Sequence, residues 1–337
     1  MRLLAIESSC DESAVAMLEF DQNQRPAVLS EVIASQSHIH REYGGVVPEL
    51  AAREHLSSLP LLSAKVLADT GTRMRDLSAI AVTRGPGLKG CLLMGFGFAQ
   101  GLALSADLPL VGVNHIEGHA LSPLLDNPDL DFPYLCLIVS GGHTEIQAVH
   151  GLGRYQLIAR TGDDAAGEAF DKSANLLSFE YPGGASLAAL ADTVNHSEFK
   201  LPKVMREAEG FSFSGLKTAI SLLVKKEAVR IQDPQVRAEL AFAVQESIVD
   251  ALVFKLKAAL SAGDYRRVAV CGGVAANQAL RKRIQGLKGV DVYFPKLTHC
   301  MDNAAMIGMA GALRFLRSER LEAGGTVMPR WPLETLQ

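Results

Sequence analysis

No stretch of the sequence stays apolar for the roughly 18 residues that a membrane span requires, which excludes a transmembrane helix. A secretion leader is missing too: Met1-Arg2 runs straight into the strand-like Leu3-Leu4-Ala5-Ile6, so a cytoplasmic protein with no membrane partner is expected. Cysteine is scarce. The five present, Cys10, Cys91, Cys136, Cys271 and Cys300, are scattered, odd in number and without a C-x-x-C pair, which argues for reduced thiols over a disulfide framework or zinc knuckle. Chemical signatures are absent as well. Neither Ser8 nor Ser140 sits in G-x-S-x-G, so neither reads as a hydrolase nucleophile. Thr83-Arg84-Gly85-Pro86-Gly87-Leu88-Lys89-Gly90 lacks G-x-x-x-x-G-K-[ST]; its glycines fall at G-x-G-x-x-G spacing, but alone that is a weak nucleotide signature, and close helix packing accounts for them.

What is present belongs to a folded enzyme. Hydrophobic residues make up 48% and charged residues 21%, far from the profile of a disordered chain, and 337 residues suffice for two separate cores. A strand, a turn of small residues and a second strand occur at 3–18, around Glu7-Ser8-Ser9-Cys10-Asp11-Glu12-Ser13. The same design returns at 134–149, around Ser140-Gly141-Gly142-His143-Thr144. Two such units suggest related lobes that each present one turn to a shared cleft. The net charge of −4 is uneven: residues 1–150 hold 9 Lys+Arg against 17 Asp+Glu, and 151–337 hold 24 against 20. A phosphate-rich partner is therefore expected on the second half, where basic clusters occur at Lys225-Lys226 with Arg230, at Arg266-Arg267, at Arg281-Lys282-Arg283, and at Arg314, Arg317 and Arg320 along one helix face. Each alone is more often a solvated face than a nucleic-acid site.

Helical patterns run over 49–68 after the turn Tyr43-Gly44-Gly45-Val46-Val47-Pro48, which surface capping explains, and over 239–262. Thr161-Gly162-Asp163-Asp164 supplies cap chemistry for a helix at 165–177, on which Asp164, Glu168 and Asp171 share a stripe. That helix runs on to Tyr181-Pro182-Gly183-Gly184, another turn open to close backbone approach. Arg267-Val268-Ala269-Val270-Cys271, then Gly272-Gly273 and a helix opened by Asn277, make a nucleoside shelf.

His115-Ile116-Glu117-Gly118-His119 follows the apolar run 108–113. On a helix, residues four apart have Cβ atoms about 5–6 Å apart on one face, so both imidazoles can grip one cation. The bland alternative is two histidines that share a helix by chance. In H-E-x-x-H proteases the glutamate directly follows the first histidine; here Glu117 comes one residue later, about 100° further around the helix. Asp302, at the start of a helix over 304–316, is either an N-cap or the missing carboxylate ligand.

As a set these residues resemble one family, the bacterial TsaD-type tRNA adenosine threonylcarbamoyltransferases, a branch of the actin and Hsp70-like (ASKHA) superfold. The blocks are Ala5 through Glu12, Gly44-Gly45-Val46-Val47-Pro48-Glu49, Gly85-Pro86-Gly87-Leu88, the paired histidines and Val139-Ser140-Gly141-Gly142-His143-Thr144. Asp163 through Lys172, Phe211 through Thr218, Gly272 through Asn277, Asp302-Asn303-Ala304-Ala305-Met306 and Pro329-Arg330-Trp331-Pro332-Leu333 complete the order. Met301 stands where the family usually has threonine, and Ala185 where proline is common.

The resemblance implies an α/β protein of duplicated ribonuclease H-like fold, with a nucleotide and metal cleft between two lobes. The first lobe would span 1–130, completed by the C-terminal helix at about 303–337, and the second 131–302. One divalent ion, Fe2+ or Zn2+, would be held by His115, His119 and Asp302. The nucleotide of threonylcarbamoyl-AMP, or an ATP- or AMP-like ligand, would lie along Ile138, Val139, Ser140, Gly141, Gly142, Asp171, Gly184 and Asn277. The implied reaction moves the threonylcarbamoyl group onto the exocyclic amine of the adenosine beside the anticodon, in tRNAs reading codons that begin with A, and releases AMP. Such acyl transfer needs charge stabilisation and a proton acceptor, for which Asp11, Glu12 and His143 are the candidates. Implied partners are tRNA, a TsaB-type paralogue, a TsaE-type ATPase and a threonylcarbamoyl-AMP synthase that supplies the donor; small residues at 99–106 mark a docking helix. A metalloprotease (the family's older glycoprotease reading), a kinase or ATPase of the same superfold, and a non-catalytic scaffold are the rivals.

Overall fold

Residues 3–6 and 14–18 are apolar at every position, and both segments become strands buried on both faces, with no alternation between core and solvent. In the computed structural model, which describes residues 1–22, 25–202, 210–321 and 325–336, the strands are β1 (Arg2–Glu7), β2 (Glu12–Glu19), β3 (Ala27–Ser35), β4 (Ala79–Gly85), β5 (Leu110–Asn114), β6 (Tyr134–Val139), β7 (Thr144–Gly151), β8 (Arg154–Arg160), β9 (Arg267–Cys271) and β10 (Asp291–Tyr293). The helices are α1 (Ser37–His40), α2 (Pro48–Asp69), α3 (Lys89–Ala106), α4 (His115–Leu121), α5 (Pro123–Asp126), α6 (Ala166–Leu176), α7 (Gly184–Ala191), α8 (Ser214–Lys226), α9 (Pro234–Ala262), α10 (Gln278–Gln285) and α11 (Ala304–Leu316). No helix among the described residues is long and apolar enough to cross a membrane.

The chain divides into two compact units. The first comprises Met1–Phe132, Val149–Tyr155 and Phe294–Gln337; the second comprises Pro133–Ala148 and Gln156–Tyr293. Each sheet has five strands, in the orders β3-β2-β1-β4-β5 and β10-β9-β6-β7-β8. Counted from the first strand of each, the order is the same, so the ribonuclease H-like topology is duplicated. In the first sheet β1 pairs antiparallel with β2 and parallel with β4, and β4 is parallel to β5. In the second, β6 and β10 both run parallel to β9.

One face of the first sheet meets α2 and α3 through Leu4, Ile6, Leu59, Val66, Ile80, Val82, Leu92 and Phe96, all buried. Its other face receives α11 at very short range. A Cβ at Gly311 would stand 2.4 Å from the Ala81 Cβ, so only a bare backbone allows this approach.

Two sequence expectations change here. The helix read over 239–262 begins at Pro234, because proline suits a first helical position and the side chain of Asp233 caps it by accepting from the Gln235 amide at 2.8 Å. Asp163 does not cap α6, whose N-cap residue, Ala165, offers no side-chain hydrogen bond. Its carboxylate is engaged at the start of α8, accepting from the Phe213 amide at 2.7 Å and from the Ser212 and Ser214 hydroxyls at 2.5 and 2.8 Å. Nothing in the local sequence points to a partner 50 residues away.

Candidate metal centre and active site

At the end of β5, Asn114 caps α4, its side-chain oxygen accepting from the amides of Ile116 at 2.9 Å and Glu117 at 3.2 Å. Every residue of α4 is buried. The helix sets the His115 and His119 rings edge to face with centroids 4.8 Å apart. Asp302 meets both: His119 Nε2 lies 3.0 Å and His115 Nε2 3.7 Å from its Oδ1. One ligand atom from each residue lies within 4.8 Å of the others, so the three can hold a single metal ion. Asp302 is not the helix cap. Asn303 takes that role, accepting from the Met306 amide at 2.8 Å, and this leaves the Asp302 carboxylate for the histidines.

The layer behind the histidines was not legible in the sequence. Glu7 closes the apolar strand β1 and is wholly buried; its Oε2 lies 3.2 Å from His115 Nδ1 and accepts from the Thr83 hydroxyl, while Oε1 accepts from the Ser9 amide at 2.6 Å. The Ser9 hydroxyl also stands 3.2 Å from His115 Nδ1. A lone carboxylate at the end of a four-residue apolar run was the available signal, since burying such a charge demands a partner.

Charge at this site favours a cation. Burial opposes protonation of His115, yet the Glu7 and Asp302 carboxylates outweigh it and lift the imidazole to about 9. Burial likewise works to raise Glu7, but His115 and the surrounding hydrogen bonds hold it below the ordinary carboxylate value. Glu12 lies well above that value, pushed up first by burial and then by the charges of Asp11, Asp302 and Glu7. The Nδ1 of His119 is buried without a hydrogen-bond partner among the described residues. Two imidazoles and a carboxylate with surplus negative charge form a donor set that fits a divalent ion.

Glu117 faces elsewhere. Its carboxylate accepts from Arg314 Nε at 2.5 Å and Nη2 at 2.8 Å, and from the Tyr155 hydroxyl at 2.6 Å. This corrects the reading of Arg314, Arg317 and Arg320 as one basic face: Arg314 is buried in that ion pair, Arg317 donates to the Leu152 carbonyl at 3.0 Å, and Arg320 lies over the Phe315 ring. Spacing alone does not distinguish a surface cation from a buried one. In the cluster at Arg281-Lys282-Arg283, Arg283 is paired with Glu246 and Asp250, each at 3.2 Å, and Arg281 Nε donates to the Ala275 carbonyl at 2.7 Å.

In the second unit, Ile138 and Val139 are buried at the end of β6. The turn after them is closed by the Ser140 amide donating to the His143 carbonyl at 2.8 Å, and by the His143 amide donating to Ser140 Oγ at 3.1 Å. Gly141 and Gly142 are exposed, and a Cβ at either would meet nothing within 4 Å. Asp171 Oδ1 accepts from the amides of Gly183 at 3.0 Å and Gly184 at 2.7 Å. Gly272 adopts φ +88 and approaches the Val139 carbonyl too closely for a side chain; Gly273 beside it faces open space. Asn277 caps α10 through Leu280 N at 2.9 Å and donates to Gln245 Oε1 at 2.7 Å, so part of its amide serves the fold.

Solved structures show this architecture elsewhere. Component A of (R)-2-hydroxyglutaryl-CoA dehydratase from Acidaminococcus fermentans superimposes with a TM-score of 0.57 at 15% identity, over 93% of this chain and 96% of that one. Full-length HypF in its phosphate- and nucleotide-bound form gives 0.60 at 14% identity, over 94% of this chain and 55% of that one. At such identities the likeness defines a fold class, the duplicated ribonuclease H-like proteins. Sequence narrows it. The TsaD family model, described as tRNA N6-adenosine threonylcarbamoyltransferase, matches residues 27–309. The tRNA N6-adenosine threonylcarbamoyltransferase of Nitrosomonas europaea is 46% identical over 344 residues, covering 100% of both chains. That of Paracidovorax citrulli is 46% identical over 343 residues, covering 99% of this chain and 98% of that one. The chain belongs to the TsaD family.

Proposed function

We infer that this chain transfers a threonylcarbamoyl group to N6 of adenosine in tRNA, the activity for which its relatives are named. The observation that carries the reading is the convergence of His115, His119 and Asp302 in a chain matching those relatives from end to end. The donor is threonylcarbamoyl-AMP, a mixed anhydride already activated for acyl transfer, and the acceptor is the adenosine beside the anticodon in tRNAs that read codons beginning with A. The exocyclic amine attacks the carbamoyl carbonyl, a C–N bond forms, the bond to phosphate oxygen breaks, and AMP leaves.

His115, His119 and Asp302 hold the divalent ion, iron or zinc, and Glu7 fixes the His115 ring through Nδ1, as a carboxylate behind a ligating histidine does. When bound, the ion supplies Lewis-acid stabilisation of charge on the donor. Ile138, Val139, Ser140, Gly141, Gly142, Asp171, Gly184 and Asn277 bind the nucleotide part, for which the open Gly141 and Gly142 offer bare backbone. The attacking amine gives up a proton. Asp11, Glu12 and His143 are the groups that can accept it.

The reaction runs in the cytoplasm with a TsaB-type paralogue, a TsaE-type ATPase and a synthase for the donor. The paralogue docks on the outer faces of α2 and α3, where Leu56, Leu61, Leu93 and Leu104 are exposed beside Gly97 and Gly101, around which a Cβ would meet nothing. The test is label transfer from preformed threonylcarbamoyl-AMP to unmodified tRNA with partner proteins added. Transfer by wild type, reduced by orders of magnitude in His115→Ala and Asp302→Ala, supports the reading. No transfer, with ATP or peptide hydrolysis in its place, sinks it.

A further inference from the structure

Tyr43 is the only aromatic residue among the large exposed hydrophobics of the described chain, with 62% of its surface open to solvent. It ends the 3-10 turn Arg41–Tyr43, and the next two residues are glycines with different explanations. Gly44 has φ +66 and closes the turn in the left-handed region, where glycine is favoured. Gly45 does not have a positive φ, and a Cβ on it would meet nothing within 4 Å. Neither backbone conformation nor packing within the chain calls for glycine there. What it leaves beside the tyrosine is bare backbone that a second molecule can approach closely.

The loop rests on a hydrogen-bonded base tied to the candidate catalytic turn. The Val47 amide donates to His40 Nδ1 at 3.3 Å, and His40 Nε2 lies 3.3 Å from Gln36 Oε1. The Gln36 amide donates to the Asp11 carbonyl at 3.1 Å, directly after Ser35, which pairs in register with Glu12. Both Gln36 and His40 are buried. On the far side, the Cys91 thiol reaches the Pro48 carbonyl at 3.9 Å and brings the first turn of α3 alongside, with Lys89 exposed on it.

We propose that residues 41–47 form a tRNA-docking loop in which Tyr43 stacks on an unpaired base, while Gly45 lets the backbone approach the sugar-phosphate chain. The proposal rests on the transferase reading and extends it to how the acceptor is held. An aromatic platform suits RNA, whose single-stranded loops are recognised largely by stacking on such side chains. A protein partner is disfavoured at the turn itself, where Tyr43 is flanked by Arg41, Glu42, Gly44 and Gly45, none of which brings an apolar side chain of the kind a protein interface gathers at its centre.

The test uses the full chain with its partner proteins, comparing wild type, Tyr43→Phe, Tyr43→Ala and Gly45→Val. Direct titration with unmodified tRNA is read beside steady-state transfer. Tyr43→Ala is expected to weaken tRNA binding and raise the KM for tRNA by roughly 5- to 150-fold, the range that one stacked base spans. The KM for threonylcarbamoyl-AMP stays within about twofold, Tyr43→Phe behaves as wild type because the ring is kept, and Gly45→Val weakens tRNA alone. Unchanged tRNA affinity in Tyr43→Ala overturns the proposal. So does a loss that appears as failed association with the partner proteins, which would mark a protein contact. If wild type binds tRNA yet transfers nothing, the transferase reading has failed and the titration still decides Tyr43.

Discussion

Glu117 and Arg314 form a two-pronged, buried ion pair, at 2.5 and 2.8 Å, that fastens the helix carrying His115 and His119 to α11. The glutamate that a protease reading would make a catalytic base is a structural anchor, turned from the histidine face by its place in the helical repeat. Removing Arg314 strands the Glu117 charge in the core, whereas Arg314 keeps Glu319 as a second partner. Arg314→Met is expected to cost about 3–5 kcal/mol of stability, and the double variant Arg314→Met/Glu117→Gln distinctly less than the sum of the singles. Urea unfolding of the four proteins reads this directly; simple additivity would show that the two groups are not coupled.

Glu7 positions His115 from behind the site. Glu7→Gln keeps the shape and removes the charge, and is expected to weaken divalent-metal binding roughly 10- to 100-fold with the fold intact. Isothermal titration of the metal-stripped protein with Zn2+ provides the check. His115→Ala should abolish stoichiometric binding, and a chelator applied to wild type should remove transfer, which added metal then restores.

Asp163 ties the start of α8 to the loop before α6, and its hydrogen bonds from Ser212, Phe213 and Ser214 overcome burial to hold its carboxyl below the ordinary value. A depressed folded-state pKa contributes stability that is fully present above the unfolded value of about 3.9 and is lost as pH falls through the lower folded value. The stability gap between wild type and Asp163→Ala is therefore expected to be about 1 kcal/mol at pH 7, the usual net worth of a hydrogen bond, and to shrink below pH of about 4. A gap that persists unchanged at pH 3 would contradict this account.

Gly311 lets α11 lie against β4. Gly311→Ala places a methyl 2.4 Å from the Ala81 Cβ, and the helix, which starts two residues after Asp302, has to shift. Overpacking of this kind costs typically about 1–3 kcal/mol. The double variant Gly311→Ala/Ala81→Gly, which vacates the same space, should recover most of the metal affinity that the single variant loses, as measured by zinc titration.

The sequence by itself determined the local features. Unbroken apolar runs specify strands buried on both faces, so β1, β2 and β6 were visible as such, as was their repetition at a distance that makes a duplicated fold. Spacing by four placed His115 and His119 on one helix face, and the same arithmetic turned Glu117 away. Whether Asp302 caps a helix or faces the histidines was not decidable locally, because Asp302 and Asn303 both have cap chemistry. Only the tertiary structure, by giving the cap to Asn303, freed the carboxylate. The same holds for Glu7 behind His115, for Arg314 in the core and for Asp163 on a distant helix. Each joins residues far apart in the chain, where periodicity carries no information. Burial and pairing across such distances are settled by how the elements pack.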